Sequence, residues 1–335
     1  MAVSTLQLLN PNRRMSNMKV HRRQILTAAS VAAVAGGSLT VGPGAGLQIA
    51  ARAQEKKGFF DISLAQWSLN REFFGRAGVT KLEPLEFAVI SKRDFGIQAV
   101  EYVNQFYKDV VRQPDYLAEL KKRSEGEGVQ GLLIMCDGEG NLGDPDLKRR
   151  VTAVRNHIKW LEWAKELGCH SIRVNAASDG KLSFQEQQKL AADGLRRLCE
   201  IGDTYDLNVI VENHGGLSSH GGWLRGVMEM VEHPRVGTLP DFGNFRVKGG
   251  PDGLEYDRYL GTSELMPFAK GVSAKSHEFD AEGNEVHTDY RRMLKIVRDS
   301  GFKGFIGIEF EGSGGSAEGI RATKSLLERL RTELS

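Results

Sequence analysis

The chain has 335 residues, with 45 Lys and Arg against 43 Asp and Glu, a net charge of +2, and three cysteines. A near-balanced charge gives no electrostatic footprint for nucleic acid, and Cys136, Cys169 and Cys199 are too few and odd in number for a disulfide framework. Residues 1-53 carry six of the basic residues and no acidic one, so the remainder stands at −4.

That first segment reads as a targeting signal and not as fold. His21-Arg22-Arg23-Gln24-Ile25-Leu26 places an arginine pair before a small-residue apolar stretch, Ala28 to Ala35, and Ala51-Arg52-Ala53 offers a small-residue cleavage site. The expectation is a twin-arginine-type signal peptide over 1-53 and a periplasmic or otherwise extracytoplasmic protein. Gly36, Gly37, Gly42, Pro43, Gly44 and Gly46 interrupt the apolar run, so no stable membrane span is expected after cleavage.

From residue 61 the chain alternates short β-like runs with amphipathic stretches, the pattern of a parallel sheet wrapped by helices. Strands are expected over 62-67, 97-102, 129-135 and 171-175, then 209-212, 236-241, 271-277 and 305-309. Between them, Val151, Val154, Ile158, Leu161 and Leu167 form one helical stripe, Leu195, Leu198 and Ile201 a second, and Ile320, Leu327 and Leu330 a third. Gly168 and Gly301 follow helix ends as stop signals. Eight strands in the 282 residues from 54 to 335 suit one α/β domain, a TIM (β/α)8 barrel. A doubly wound open sheet would alternate similarly, but no G-x-G-x-x-G turn follows the first strand and no P-loop occurs.

The last four strands end in Glu212, Asp241, His277 and Glu309, at steps of 29, 36 and 32 residues. Each step matches one strand-plus-helix unit, and barrel chemistry gathers at the C-terminal ends of the strands. Taken singly, each carboxylate reads as a helix cap or loop residue and the histidine as an ordinary surface or core group. Together, three carboxylates and an imidazole repel one another unless a divalent cation holds them, which points to a metal enzyme.

These runs also carry a family resemblance. Val209-Ile210-Val211-Glu212-Asn213-His214-Gly215-Gly216, Leu239-Pro240-Asp241-Phe242-Gly243-Asn244, Ser276-His277-Glu278-Phe279-Asp280 and the run from Gly301 to Glu309 resemble the xylose-isomerase-like barrel superfamily over about residues 61-330. That superfamily holds sugar isomerases and epimerases, endonuclease IV, hydroxypyruvate isomerase and inosose dehydratase. The resemblance implies one divalent metal, Mn, Co, Mg or Zn, on Glu212, Asp241, His277 and Glu309, with Glu212 and Glu309 also serving as acid and base. Proton removal next to a carbonyl needs a base at carbon and positive charge at the oxygen, so the implied roles are chemically coherent.

Substrate-binding candidates surround this set. Lys275 shares the strand face of His277, one layer below it, where it either steadies an oxyanion or pairs with a carboxylate such as Glu101. His214 lies in a glycine-flanked loop, and Trp67 and Asn175 end the first and fourth strands. Asn244 stands where similar ketose 3-epimerases have a histidine, and Phe279 where many relatives have a lysine. The expected activity is a metal-dependent sugar isomerase or epimerase working through an enediolate on a small carbohydrate, with homo-oligomer formation left open. The alternatives are a keto-sugar lyase or dehydratase, a non-catalytic sugar-binding barrel and an endonuclease IV-like hydrolase. The last is disfavoured because Glu101 with Tyr102 and Cys136 with Asp137 stand where that enzyme has further histidines.

Overall fold

The structure, a computed structural model, describes residues 58–335. The expected signal peptide, 1-53, lies outside the described residues. Among these residues no helix is long and apolar enough to cross a membrane.

Ten strands and nine α-helices of at least five residues alternate along the described chain. The strands are β1 (Asp61–Ala65), β2 (Ala99–Val103), β3 (Gln130–Met135), β4 (Ser171–Val174), β5 (Asn208–Glu212) and β6 (Val236–Leu239), then β7 (Arg246–Lys248), β8 (Leu254–Glu255), β9 (Val272–Ser276) and β10 (Phe305–Phe310). Eight of them form one parallel sheet in the order β6-β5-β4-β3-β2-β1-β10-β9. The seam between its ends is bridged at Thr238 to Ala269 and Asp241 to Ser273, where the Ser273 N–H donates to Pro240 O at 2.9 Å. This is the eight-stranded barrel that the alternation predicts. β7 and β8 are additional, a short antiparallel pair that no sequence signal announces.

Local chemistry sets the helix limits. The helix Leu147–Glu166 starts where the Asp146 carboxylate accepts the Arg149 N–H, and the helix Phe184–Tyr205 starts at a reciprocal Ser183–Glu186 capping box. Gly168 and Gly301 take the left-handed conformation just past their helices, the role expected of them. Of the predicted stripes, Val154, Leu161, Leu195, Leu198, Ile320, Leu327 and Leu330 are buried.

Period-2 alternation then divides each strand between two cores. Outward residues such as Leu64, Val100, Ile134, Ile172, Val211 and Ile306 pack under the helices. Inward, Ala65, Val103, Leu133, Met135, Ile210 and Leu239 fill the barrel as a separate apolar cluster. Polar inward residues collect instead on β2, β4, β5, β9 and β10, and they build the site.

Candidate active site at the barrel mouth

Three of the strand-end residues meet. Glu212 ends β5, Asp241 follows β6 and Glu309 lies on β10, and a carboxylate oxygen of each falls within 4.8 Å of the others. All three are sealed: Glu212 and Asp241 have no exposed surface and Glu309 has 2%. Such a density of buried carboxylate is unstable without counter-charge.

Two cations supply it. Arg173 on β4 sets Nη2 2.6 Å from Glu212 Oε2 and Nη1 2.8 Å from Asp137 Oδ1. Lys275 on β9 sets Nζ 2.8 Å from Glu309 Oε1 and 3.0 Å from Glu311 Oε2. The register dictates the second contact, because Lys275 and Glu309 are direct partners in the β9–β10 pairing and project the same way. Gly243 permits it, since a Cβ there would fall 2.7 Å from Lys275 Cγ.

His277 does not join the cluster. It stands two residues beyond Lys275 on the same face, past the end of β9, half-buried, with its backbone N–H donated to Glu285 Oε1 at 3.2 Å. The layer of β9 that faces Glu309 is that of Lys275, so the histidine rides one layer higher toward solvent. Its imidazole is held below the usual pKa by burial and by the Lys275 ammonium.

Asp241 is fixed by its own turn. Its Oδ1 accepts the N–H groups of Gly243 and Asn244 at 2.8 and 2.7 Å, and the Asn213 side chain clamps its backbone on both sides. Ser273 Oγ then lies 2.8 Å from Asp241 Oδ2 and 3.0 Å from Glu309 Oε2. A hydroxyl has one proton to give, so one of these contacts needs a proton from the carboxyl. Asp241 fits that part, because burial and the neighbouring carboxylates raise its pKa against the pull of Lys275. Burial alone would raise Glu309 as well, but Lys275 outweighs it and keeps Glu309 ionised.

The remaining candidates fall into two groups. Glu101 lies inside the barrel, 2% exposed, accepting the Ser63 hydroxyl at 2.7 Å, and burial pushes its pKa up to about 8. Gly307 leaves the space it fills, since a Cβ there would collide with its carboxylate. Contrary to the pairing considered from sequence, Lys275 takes Glu309 and Glu311 as partners and not Glu101. The others are at the rim. Asn244 donates to Glu212 Oε1 at 2.9 Å, and Asn175 donates to Asp137 Oδ1 at 2.7 Å. Trp67 stacks on Phe106 with ring centres 6.2 Å apart and donates its indole N–H to Glu311. His214 is exposed in the loop after β5.

Above the carboxylates opens a cleft of about 720 Å³, lined by His214, Asn244, Arg246, His277, His287 and Glu311 among others. A second cleft, of about 600 Å³, adjoins it and shares His214 and Gly215; Leu182, Phe184, Leu217, Trp223 and Val247 give it apolar walls. Sequence reasoning passes over Arg173, Asp137, Ser273 and Glu311 as members of the site. Arg173 has a signal, an arginine alternating with apolar neighbours in Ser171-Ile172-Arg173-Val174 and sharing the face of Asn175. Asp137 draws notice in the sequence only because endonuclease IV carries a further ligand in that region.

A closed eight-stranded barrel with a carboxylate cluster at the C-terminal strand ends defines a class of protein, the enzyme-like (β/α)8 barrels. The chain belongs to the xylose isomerase-like TIM barrel family, whose sequence profile matches residues 92–332. It is 20% identical over 296 residues to the 3'-dehydrocarminate deglycosidase alpha subunit of a Microbacterium species, covering 67% of this chain and 81% of that one. Among solved structures it is similar to the 3-keto-D-glucoside 4-epimerase of E. coli, with a TM-score of 0.60, 16% identity and coverage of 82% and 100%. It is similar also to the IOLI protein with a bound zinc atom, with a TM-score of 0.64, 12% identity and coverage of 82% and 98%.

The acidic cluster is of the kind that holds a divalent ion, and it provides three of the four donors expected from sequence. The fourth is not an imidazole. An ammonium occupies the facing position on β9, bonded to one of the carboxylates that an ion would need. The residues as folded therefore do not fit a four-donor metal centre.

Proposed function

We propose that this chain is a sugar-modifying enzyme that moves a proton at a carbon next to a carbonyl, as an isomerase or epimerase of a small keto-sugar. The observation that carries the reading is the pair Glu212 and Glu309, two carboxylates from opposite walls of the mouth held beside permanent positive charge. A carboxylate is a competent base for such a carbon, and fixed cations favour the negative charge that develops at the carbonyl oxygen. The similarity to a 3-keto-glucoside epimerase supports the substrate class.

Each residue has a part in this reading. Glu212 Oε2 is buried with no aligned hydrogen-bond donor, although Arg173 Nη2 is near, and it is the oxygen free to take a proton. Glu309, ionised by Lys275, returns a proton from the other side once one has passed to it from the neutral Asp241 carboxyl through Ser273 Oγ, which lies between them. Asn244 covers Glu212 from the half-buried rim, so substrate entry requires its side chain to turn aside. In this reading His214 and His277, which line the cleft, and Asn175 and Trp67, bonded beside it to Asp137 and Glu311, contact sugar hydroxyls and ring faces. The divalent metal of the sequence-based expectation would supply positive charge at the carbonyl oxygen; Arg173 and Lys275 already place such charge at the centre.

The test is exchange in deuterated water with native protein, Glu212→Gln and Glu309→Gln, followed by NMR on keto-sugars and 3-keto-glucosides. Deuterium entering at one carbon beside the carbonyl, lost in both variants while the barrel stays folded, is expected. Full exchange in either variant removes that residue from the role.

Elimination is the second reading, and the apolar cleft beside the mouth favours it. A keto-glycoside with an apolar aglycone would fill both clefts, and proton removal from its sugar would then expel the aglycone. A deglycosidase among the relatives fits that outcome. The same NMR experiment separates the two, since epimerisation retains the aglycone. The twin-arginine-type segment supports work outside the cytoplasm, checked by locating the full-length chain with and without Arg22 and Arg23.

A further inference from the structure

We propose that the carboxylate centre is closed by the chain's own lysine: the Lys275 ammonium stands where a divalent ion would, and the native protein takes no divalent metal between Glu212, Asp241 and Glu309. The inference rests on the same site as the proton-transfer reading and on none of its chemistry.

Four observations carry it. First, the position is set by backbone register, since Lys275 and Glu309 are paired residues of neighbouring parallel strands. Second, the ammonium is held by two carboxylates, 2.8 Å from Glu309 and 3.0 Å from Glu311, with the side chain 2% exposed. Third, the fold makes room for that side chain, because Gly243 abuts its Cβ and Cγ and no larger residue fits. Fourth, every carboxylate oxygen of the cluster except Glu212 Oε2 already has a hydrogen-bond partner. Asp241 Oδ1 holds two backbone N–H groups, Ser273 lies between Asp241 and Glu309, and Arg173 faces Glu212.

A dication coordinated by the three carboxylates would lie within a few ångströms of Nζ, among residues at most 2% exposed, where like charges are weakly screened. His277 cannot relieve this. Two residues further along a strand is a rise of roughly 7 Å, and the histidine backbone is held there by Glu285 and by close packing of its carbonyl on Gly312. The physical prediction is a direct exchange: an imidazole at position 275 completes a donor set that an ammonium blocks.

The experiment uses the full chain and metal alone, with no sugar. Elemental analysis of purified native protein is expected to give far less than one Mn, Zn, Co or Mg per chain. In calorimetric titration with Mn²⁺, Lys275→His is expected to bind one ion at least about 10-fold more tightly than native protein, and Asp241→Asn in that background to abolish it. One ion per native chain, lost on Glu212→Gln or Asp241→Asn, overturns the proposal, as does equal affinity of native and Lys275→His. Should Lys275→His not fold, the native chain decides alone. Mn²⁺, Mg²⁺ and Zn²⁺ are expected to leave its thermal midpoint unchanged, and a rise cancelled by Asp241→Asn contradicts the inference. Because no substrate is present, a failure here leaves the proton-transfer reading standing. Absence of deuterium exchange, in turn, leaves this result standing.

Discussion

The two walls of the mouth meet one electrostatic problem in different ways. On the β4–β5 wall the Arg173 guanidinium joins Glu212 to Asp137; on the β9–β10 wall the Lys275 ammonium joins Glu309 to Glu311. Glu309 has both oxygens engaged, by Lys275 and Ser273, whereas Glu212 has Asn244 on Oε1 and no aligned donor on Oε2. A compact ammonium saturates its partner at short range, while a planar guanidinium held by Asp137 lies beside Glu212 without being aimed at it. The contrast assigns the available oxygen to Glu212 and the fixed charge to Glu309.

The largest effect should come from the available oxygen. Glu212→Gln is expected to lower proton exchange by about 10²–10⁴-fold, the range for a lost general base, and to lower the thermal midpoint as well, because the buried Arg173 loses one of its two partners. Glu309→Gln should lose exchange and also stability, because it strips Lys275 of its buried partner; activity and unfolding measured together show whether the walls differ as described. Next in size, Lys275→Met should cost about 3–5 kcal/mol in urea unfolding, as breaking a buried ion pair does, and Arg173→Met a similar amount, since each cation pairs with one buried and one partly exposed carboxylate.

A smaller effect tests the interior beneath both walls. Burial raises Glu101 to about 8, against about 4.3 for an unfolded glutamate. The folded protein therefore holds a proton that the unfolded chain releases between these values. The associated stability is fully present below the unfolded pKa and is lost as pH rises through 8. Glu101→Gln should flatten that decline by an amount on the order of a few kcal/mol, read from unfolding at pH 5 to 9. Smallest, Trp67→Phe should keep the stacking on Phe106, lose the bond to Glu311 and weaken substrate binding by about 1 kcal/mol, measured as a rise in KM.

Much of this is legible in the sequence, for reasons that also mark where reading fails. The eight strand positions come through because each apolar run is bounded by turn residues, and no boundary moves by more than two residues. Glu212, Asp241 and Glu309 stand out because carboxylates recur at strand ends whole barrel units apart, a regularity that capping and loop roles would not produce. His277 reads one layer too low, since the run Gly271 to His277 shows where a strand is but not where it stops. Pairing with β10 reveals that Lys275, and not the histidine, faces Glu309. The β7–β8 pair escapes because its strands are two or three residues long, largely exposed and joined by a Gly- and Pro-rich turn, with no apolar alternation to detect.

The measurement closest to the central claim is deuterium incorporation into a keto-sugar panel by native protein and Glu212→Gln in deuterated water. One deuterium at the carbon beside the carbonyl is expected with native protein and none with the variant. Equal incorporation by both, or none by native protein with a keto-sugar demonstrably bound, would contradict it.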